Sequence, residues 1–344
     1  MDLAWAYSTY LPWIEAEMQG LVCSADKHFS GHYGMMQYHL GWTDVLLRPT
    51  SAPSGKRIRP VLCLLACGAV GTDPRTALPA AAGLELLHNF SLVHDDIEDN
   101  SPNRRHRPAM WSLFGMPKAC NAGDGMFSLA HLAFHRLRET GVPEGTVLDA
   151  LKLFDETCLS LTEGQYLDMA FESRSDVTVI EYFSMIAGKT GALLAASTQI
   201  GAMVAGAPAE QTALYRVFGA ALGRAFQLQD DILGIWGSEA ITGKPTAGDI
   251  LSKKKSLPVI QALAHPRTGR RMSDLYAGPP FTGADVPVIL TLLEESGARL
   301  YVEGQIHDSI ADAHSALRTL HPHAERAFLA VLKELLDSLV GRVS

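Results

Sequence analysis

The 344 residues are 47% hydrophobic and 19% charged, enough for one large core or two domains. The formal net charge of −8 argues against a nucleic-acid binder. It does not exclude an anionic substrate, because Lys56-Arg57-Ile58-Arg59, Arg104-Arg105-His106-Arg107 and Lys253-Lys254-Lys255 are local basic clusters.

Helical periodicity dominates the chain, and strand-like alternation is scarce. The pattern predicts helices over roughly 12–26, 57–70, 76–98, 119–139, 144–171, 178–187, 190–205, 209–236, 249–264, 284–297, 299–318 and 321–340. Prolines and glycines mark loops at 48–55, 100–108, 237–248 and 265–283, the last being the least ordered-looking. None of these resembles a domain linker, and there is no repeat. The expectation is one all-α domain over 1–344, a single-domain bundle with a helical core.

Met1-Asp2-Leu3 does not begin a basic segment followed by an apolar run, so no signal peptide is expected. The apolar stretch Ala192 to Ala207 contains Ser197, Thr198 and Gln199 and is short for a bilayer, so it reads as a buried helix and no membrane span is expected. Five scattered cysteines fit a reducing cytoplasm.

Two acidic pairs carry the chemistry. The first is Asp95-Asp96-Ile97-Glu98-Asp99, followed by Arg104-Arg105; the second is Gln227-Leu228-Gln229-Asp230-Asp231, followed by Lys244 and Lys253 to Lys255. Asp95 and Asp99 are four apart and share a helix face, and His88, seven residues before Asp95, lies on nearly the same stripe. A helix C-terminus has a negative dipole, so two acids there need a cation. Mg²⁺ takes carboxylates and phosphate oxygens together, so acid clusters followed by fixed cations suit a metal-bridged diphosphate. Taken alone, DxxxD would be a solvated helix end, and Gln227 alone a core hydrogen-bonding group.

With these pieces in order, the chain resembles a trans-isoprenyl diphosphate synthase of the polyprenyl synthetase family. The matching segments are Gly55-Lys56-Arg57-Ile58-Arg59-Pro60, the 95–99 motif with Arg104-Arg105, Lys189-Thr190-Gly191, Phe226 to Asp231, Gly243-Lys244-Pro245, and Asp249 with Lys254. They cover about residues 50–340, with 1–50 matching only loosely. The resemblance implies that Asp95, Asp99 and Asp230 hold three Mg²⁺ ions, with Asp96 and Asp231 supporting them. It implies that Arg104, Lys189, Lys244 and Lys254 contact an allylic diphosphate (dimethylallyl, geranyl or farnesyl). Lys56, Arg59, His88 and Arg105 would bind isopentenyl diphosphate. Thr190 and Gln227 would turn oxygens toward the allylic cation. The implied product is a short all-trans prenyl diphosphate plus pyrophosphate, made by a homodimer.

Three positions depart from the family pattern. Gly234 stands where many members have a third aspartate, Ser238 where an aspartate often follows the loop glycine, and His106 where glycine is frequent. Weaker metal affinity or altered kinetics is expected from Gly234.

The product tail would run along the helix below Asp95, each turn adding room for roughly one isoprene unit at about 1.5 Å per residue. Phe90 and Ser91 are five and four residues before Asp95. Ser91 is small, and Phe90 resembles the aromatic stop of C20-producing members, which favours C20 with C15 next. Competing functions are a class I terpene cyclase and a non-catalytic subunit of a heteromeric synthase; the first does not need Lys56, Arg59, His88 and Arg105, and the second tends to lose the acidic motifs. Smaller signals read as packing: Cys63 with Cys67, His131 with His135, and the aromatic stripe Trp5, Tyr7, Tyr10 and Trp13.

Overall fold

Asp2 starts the first helix by accepting a hydrogen bond from Trp5 N at 2.8 Å. That helix, α1 (Leu3–Leu21), begins well before the predicted start because Pro12 sits exposed inside it without breaking it. Its inward face is Ala6, Tyr10, Ile14 and Met18, all buried at four-residue spacing. The computed structural model describes residues 1–52, 55–237 and 247–340. Its further helices are α2 (Ser30–His39), α3 (Ile58–Val70), α4 (Leu78–Glu98), α5 (Met110–Phe114), α6 (Met116–His135), α7 (Glu144–Ser173) and α8 (Val179–Ile186). After them come α9 (Ala192–Val204), α10 (Ala209–Trp236), α11 (Gly248–Leu251), α12 (Leu257–Ala264), α13 (Gly269–Ala277), α14 (Val286–Glu295), α15 (Ala298–Leu320) and α16 (Arg326–Val340). Sheet among the described residues is a two-residue hairpin, β1 (Asn103–Arg104) against β2 (Arg107–Pro108).

Two compact units arise. The first holds Met1–Asp155, Ala196–Tyr215 and His321–Leu332; the second holds Glu156–Ala195, Arg216–Leu320 and the segment from Lys333. Four of the five boundaries fall inside α7, α9, α10 and α16, and the fifth follows Leu320 at the end of α15.

In the first unit α4 packs on α6, α3 and α1. Glycine makes the α4–α6 approach possible: a Cβ at Gly83 would meet the Ala130 carbonyl oxygen at 2.9 Å and the Phe134 ring at 2.8 Å. Arg57, 3% exposed, ties three helices together, donating to Glu15 of α1 at 2.8 Å and Glu85 of α4 at 2.9 Å from the start of α3. The loosely matching N-terminal segment thus supplies a counter-charge to the basic motif.

The second unit has two apolar clusters. Phe171, Tyr182, Ile186, Leu228, Ile232, Leu257 and Val302 form one, and Ile235, Ile250, Val259, Met272, Ile289 and Leu292 form the other. Met272 belongs to α13, in a stretch expected to be loop; the helix is short and polar overall, and Gly269, Pro279 and Pro280 around it read as loop signals. The predicted 249–264 helix is broken. Lys253 takes a left-handed φ of 55°, and Pro258 stands at the start of α12, where proline is favoured. The expected short apolar helix joins α8 through a π turn, Ala187–Gly191, into one run. Among the described residues that run, Val179–Val204, is long and apolar enough to cross a bilayer, and half of its most apolar window is buried.

The hairpin turn explains one departure. Arg105 and His106 have φ of 53° and 61°, the pair of left-handed residues a two-residue hairpin loop requires. Glycine is at ease there and histidine is strained. His106→Gly is expected to raise stability by about 0.5–1 kcal/mol, read as a higher urea midpoint; a lower midpoint would mean that the imidazole itself holds the turn.

Candidate active site

The C-terminal end of α4 presents the first acidic motif. Asp95 is half-buried, Asp99 is exposed at the C-cap, and the last turn carries no basic residue. Asp96 points inward and is 1% exposed. Its Oδ1 accepts from Arg104 Nε at 2.9 Å and Nη2 at 2.6 Å. Burial raises the Asp96 carboxyl above its ordinary range, and Arg104 opposes that rise. Asp96 therefore anchors the hairpin to α4, which agrees with a supporting role, and it fixes Arg104 beside the acidic end.

A cationic cluster surrounds His88 in the same unit. Burial pulls the imidazole well below its ordinary value, and the charges of Arg59, Arg105, Arg104 and Arg57 push it further down. Burial draws Arg105 down to about 10, so it remains charged at neutral pH. Its Nη1 is buried without a hydrogen-bond partner. The preceding loop comes close enough that a Cβ at Gly55, whose φ is +91°, would meet Arg105 Nη2 at 2.9 Å. Lys56 follows, exposed. The charges of Arg59 and Arg105 thus both act on His88, while Glu85 and Asp96 act on Arg105.

His39 shares the condition of His88: buried, and held neutral by burial and by Arg105, Arg104, Arg57 and Arg107. A histidine whose folded pKa is depressed contributes stability that is present above its unfolded value and is lost as pH falls below it. Between about pH 6.5 and the depressed value the unfolded chain binds the extra proton. Denaturant stability is expected to fall below about pH 6.5 by up to about 1.4 kcal/mol per pH unit for each histidine. His39→Gln should flatten that slope between pH 7.5 and 5.5; an unchanged slope would assign it to other groups.

The two positions expected to set chain length, Phe90 and Ser91, lie on α4. Phe90 is half-buried, with its ring 4.6 Å from His94 and 5.0 Å from Phe127 of α6, centroid to centroid. Ser91 is 9% exposed and donates back to the His88 carbonyl at 2.9 Å. Phe90 is therefore not closed into the core, and Phe127, unmarked in the sequence, shares its position.

The second unit builds the other cluster on α7, α8, the π turn and α10. Gly164 of α7 and Gly188 of the π turn touch backbone to backbone; a Cβ at Gly164 would meet Gly188 C at 2.8 Å. A Cβ at Gly223 of α10 would meet Gly191 Cα, also at 2.8 Å. These approaches hold Lys189 and Thr190 in place, and π turns recur at functional sites. Lys189 Nζ donates to Asp168 Oδ2 at 2.5 Å. Thr190 Oγ1 donates to Gln227 Oε1 at 2.7 Å, and Gln227 Nε2 donates to Asp231 Oδ1 at 3.2 Å. With its proton given to Gln227, the Thr190 oxygen keeps its lone pairs for other use.

Asp231 is 1% exposed and accepts from Tyr182 Oη at 2.5 Å and Leu257 N at 2.9 Å. Burial raises its carboxyl above the ordinary range, against Lys254, Tyr182 and Leu257. Burial alone would lower Lys254, but Asp231, Asp249, Asp168 and Asp230 outweigh it and raise the ammonium. Asp230, next to Asp231, is exposed. The Asp249 carboxylate lies against Gly234, with Oδ1 2.9 Å from the position a Cβ there would take. Lys244 and Ser238 lie outside the described residues.

Sequence reasoning missed Asp168, Tyr182 and Phe127 and gave Asp249 no role. Gly164 and Asp168, one turn apart on α7, were the available signal.

In the first unit Asp95 and Asp99 offer only oxygen from one face of α4, and in the second the exposed Asp230 of α10 also offers only oxygen. Oxygen donors of this kind suit a hard divalent cation such as Mg²⁺. All-α architecture, oxygen-donor helix ends and fixed cations make up the build of an enzyme acting on diphosphates. The sequence model of the family described as polyprenyl synthetase matches residues 42–293. A (2E,6E)-farnesyl diphosphate synthase of Mycobacterium tuberculosis is 43% identical over 276 residues, covering 79% of this chain and 76% of that one. A geranylgeranyl diphosphate synthase of the same organism is 36% identical over 291 residues, covering 83% and 82%. The crystal structure of a polyprenyl synthetase from Streptomyces coelicolor superposes with a TM-score of 0.90 at 31% identity, covering 98% of this chain and all of that one. The chain belongs to the polyprenyl synthetase family.

Proposed function

We propose that the protein is a prenyltransferase condensing isopentenyl diphosphate head-to-tail with an allylic diphosphate, giving a short all-trans prenyl diphosphate and pyrophosphate. The observation that carries this reading is the cationic cluster at Arg59, His88 and Arg105, with an Arg105 nitrogen buried and unpartnered. A terpene cyclase needs no second diphosphate receptor, and this cluster is one. Lys56 and Arg59 bind the isopentenyl diphosphate beside it.

Asp95 and Asp99 on α4 and Asp230 on α10 would hold the Mg²⁺ ions, three in number, whose positive charge would ease departure of the allylic diphosphate. Lys189, Lys254, Arg104 and Lys244 contact that diphosphate. As the carbon–oxygen bond breaks, its electron pair leaves with pyrophosphate. The alkene of isopentenyl diphosphate then supplies the pair for the new carbon–carbon bond. Thr190 and Gln227 face the allylic cation with oxygen, and their mutual hydrogen bond fixes those oxygens before the charge appears. Released pyrophosphate takes the last proton.

The proposal extends to one domain, because the family match runs unbroken through segments of both units. A homodimer is supported by the exposed leucines Leu132 and Leu148, and a cytoplasmic location by five free cysteines. The product is C20 ahead of C15, with Phe90 and Phe127 forming the stop.

Incubation with labelled isopentenyl diphosphate and each primer, followed by chromatography of the dephosphorylated alcohols, tests this. Linear C20 or C15 alcohols are expected; cyclic hydrocarbons, or no product from any primer, would overturn it. Phe90→Ala should lengthen the products toward C25. Because Phe90 is only half-buried, the stability cost should be less than the about 3–5 kcal/mol of a core phenylalanine. An unchanged distribution would move the stop to other residues.

A further inference from the structure

His94, Cys120 and Asp124 lie apart from every role assigned above. Their ligand atoms all fall within 4.8 Å of one another. Cys120 and Asp124 are one turn apart on α6, so they project together, and His94 reaches them from the last turns of α4. Successive residues on a helix diverge by about 100°, so His94 points to α6 while Asp95 points elsewhere. His94 Nε2 is buried without a hydrogen-bond partner, and Asp124 Oδ1 is 3.4 Å from it, wider than a good hydrogen bond. Gly123 permits this arrangement, since a Cβ there would stand 2.6 Å from the same nitrogen. The Phe90 ring, 4.6 Å away, fixes the imidazole. Cys120 is a free, half-buried thiol.

We propose that His94, Cys120 and Asp124 form a second metal site, taking one thiophilic divalent ion of the Zn²⁺ class. A nitrogen, a sulfur and an oxygen make three protein ligands, and water completes a tetrahedron. The donor set separates it from the all-oxygen site, since imidazole and thiolate select Zn²⁺ over Mg²⁺. Asp124, the exposed member, is the side of entry. A bound ion would clamp the turn of α4 that precedes Asp95 onto α6, and binding must release the Cys120 proton.

Co²⁺ serves as the spectroscopic probe, titrated into the full chain with Mg²⁺ in excess to hold the oxygen-donor sites. One equivalent is expected to give the near-ultraviolet sulfur-to-cobalt charge-transfer band. Zn²⁺ should abolish it. The band should vanish in Cys120→Ser and persist in Cys23→Ser, where an exposed cysteine is removed. Asp124→Asn, a surface change that spares the fold, should weaken binding at least about tenfold, since losing even a supporting partner costs about 10–100-fold. Absence of the band in the unsubstituted chain, its survival in Cys120→Ser, or unchanged affinity in Asp124→Asn would each overturn the site and reduce His94–Asp124 to an ion pair between helices.

Discussion

Asp230→Ala is expected to lower turnover by several orders of magnitude while the protein keeps its helical circular dichroism and its denaturation midpoint. Asp230 is exposed in the last two turns of α10, and the buried Tyr182 and Leu257 donors are accepted by its neighbour Asp231. What it removes is an oxygen ligand in a reaction whose barrier is set by charge leaving with diphosphate. Asp95→Ala should behave alike, from the end of α4. Steady-state turnover with saturating Mg²⁺ and both substrates is the measurement. Near-normal turnover in a folded Asp230→Ala protein would sink the assignment of this end as a metal ligand.

The neighbouring residue should behave in the opposite way. Asp231→Ala leaves the Tyr182 hydroxyl, the Leu257 N–H and the Gln227 amide without their acceptor. It also takes from Lys254 the carboxylate that most raises it. Stripping one side of a buried, charged network costs about 3–5 kcal/mol. A large drop in the denaturation midpoint is therefore expected, with activity lost through displacement of Gln227 and Lys254. Asp231→Asn keeps the shape and should lie between. Wild-type stability in Asp231→Ala would show that Asp231 holds none of these groups in place.

This contrast marks where the sequence stopped being informative. Helical period shows that Asp95 and Asp96, or Asp230 and Asp231, point different ways. It does not show which of each pair enters the protein, because that depends on Arg104 and Tyr182, brought in from other elements. The long helices α4, α7 and α10 were legible from apolar spacing alone. Helix α2, with glycines at 31 and 34, and the polar α13 were not, since both owe their existence to packing rather than propensity. The residues missed at the site, Asp168 and Phe127, lie on helices without a motif and act only through contacts distant in sequence.

Gly234 and Asp249 constrain how this chain can change. The Asp249 carboxylate fills the volume into which any side chain at 234 would grow. An aspartate at 234 could enter only if the Asp249 carboxylate, the far end of a short side chain, turned aside. Gly234→Asp is therefore expected to fold with Asp249 re-aimed and its share in holding the Lys254 ammonium changed. The bare backbone at 234 thus gives Asp249 a resting place that a third carboxylate on the same helix would contest.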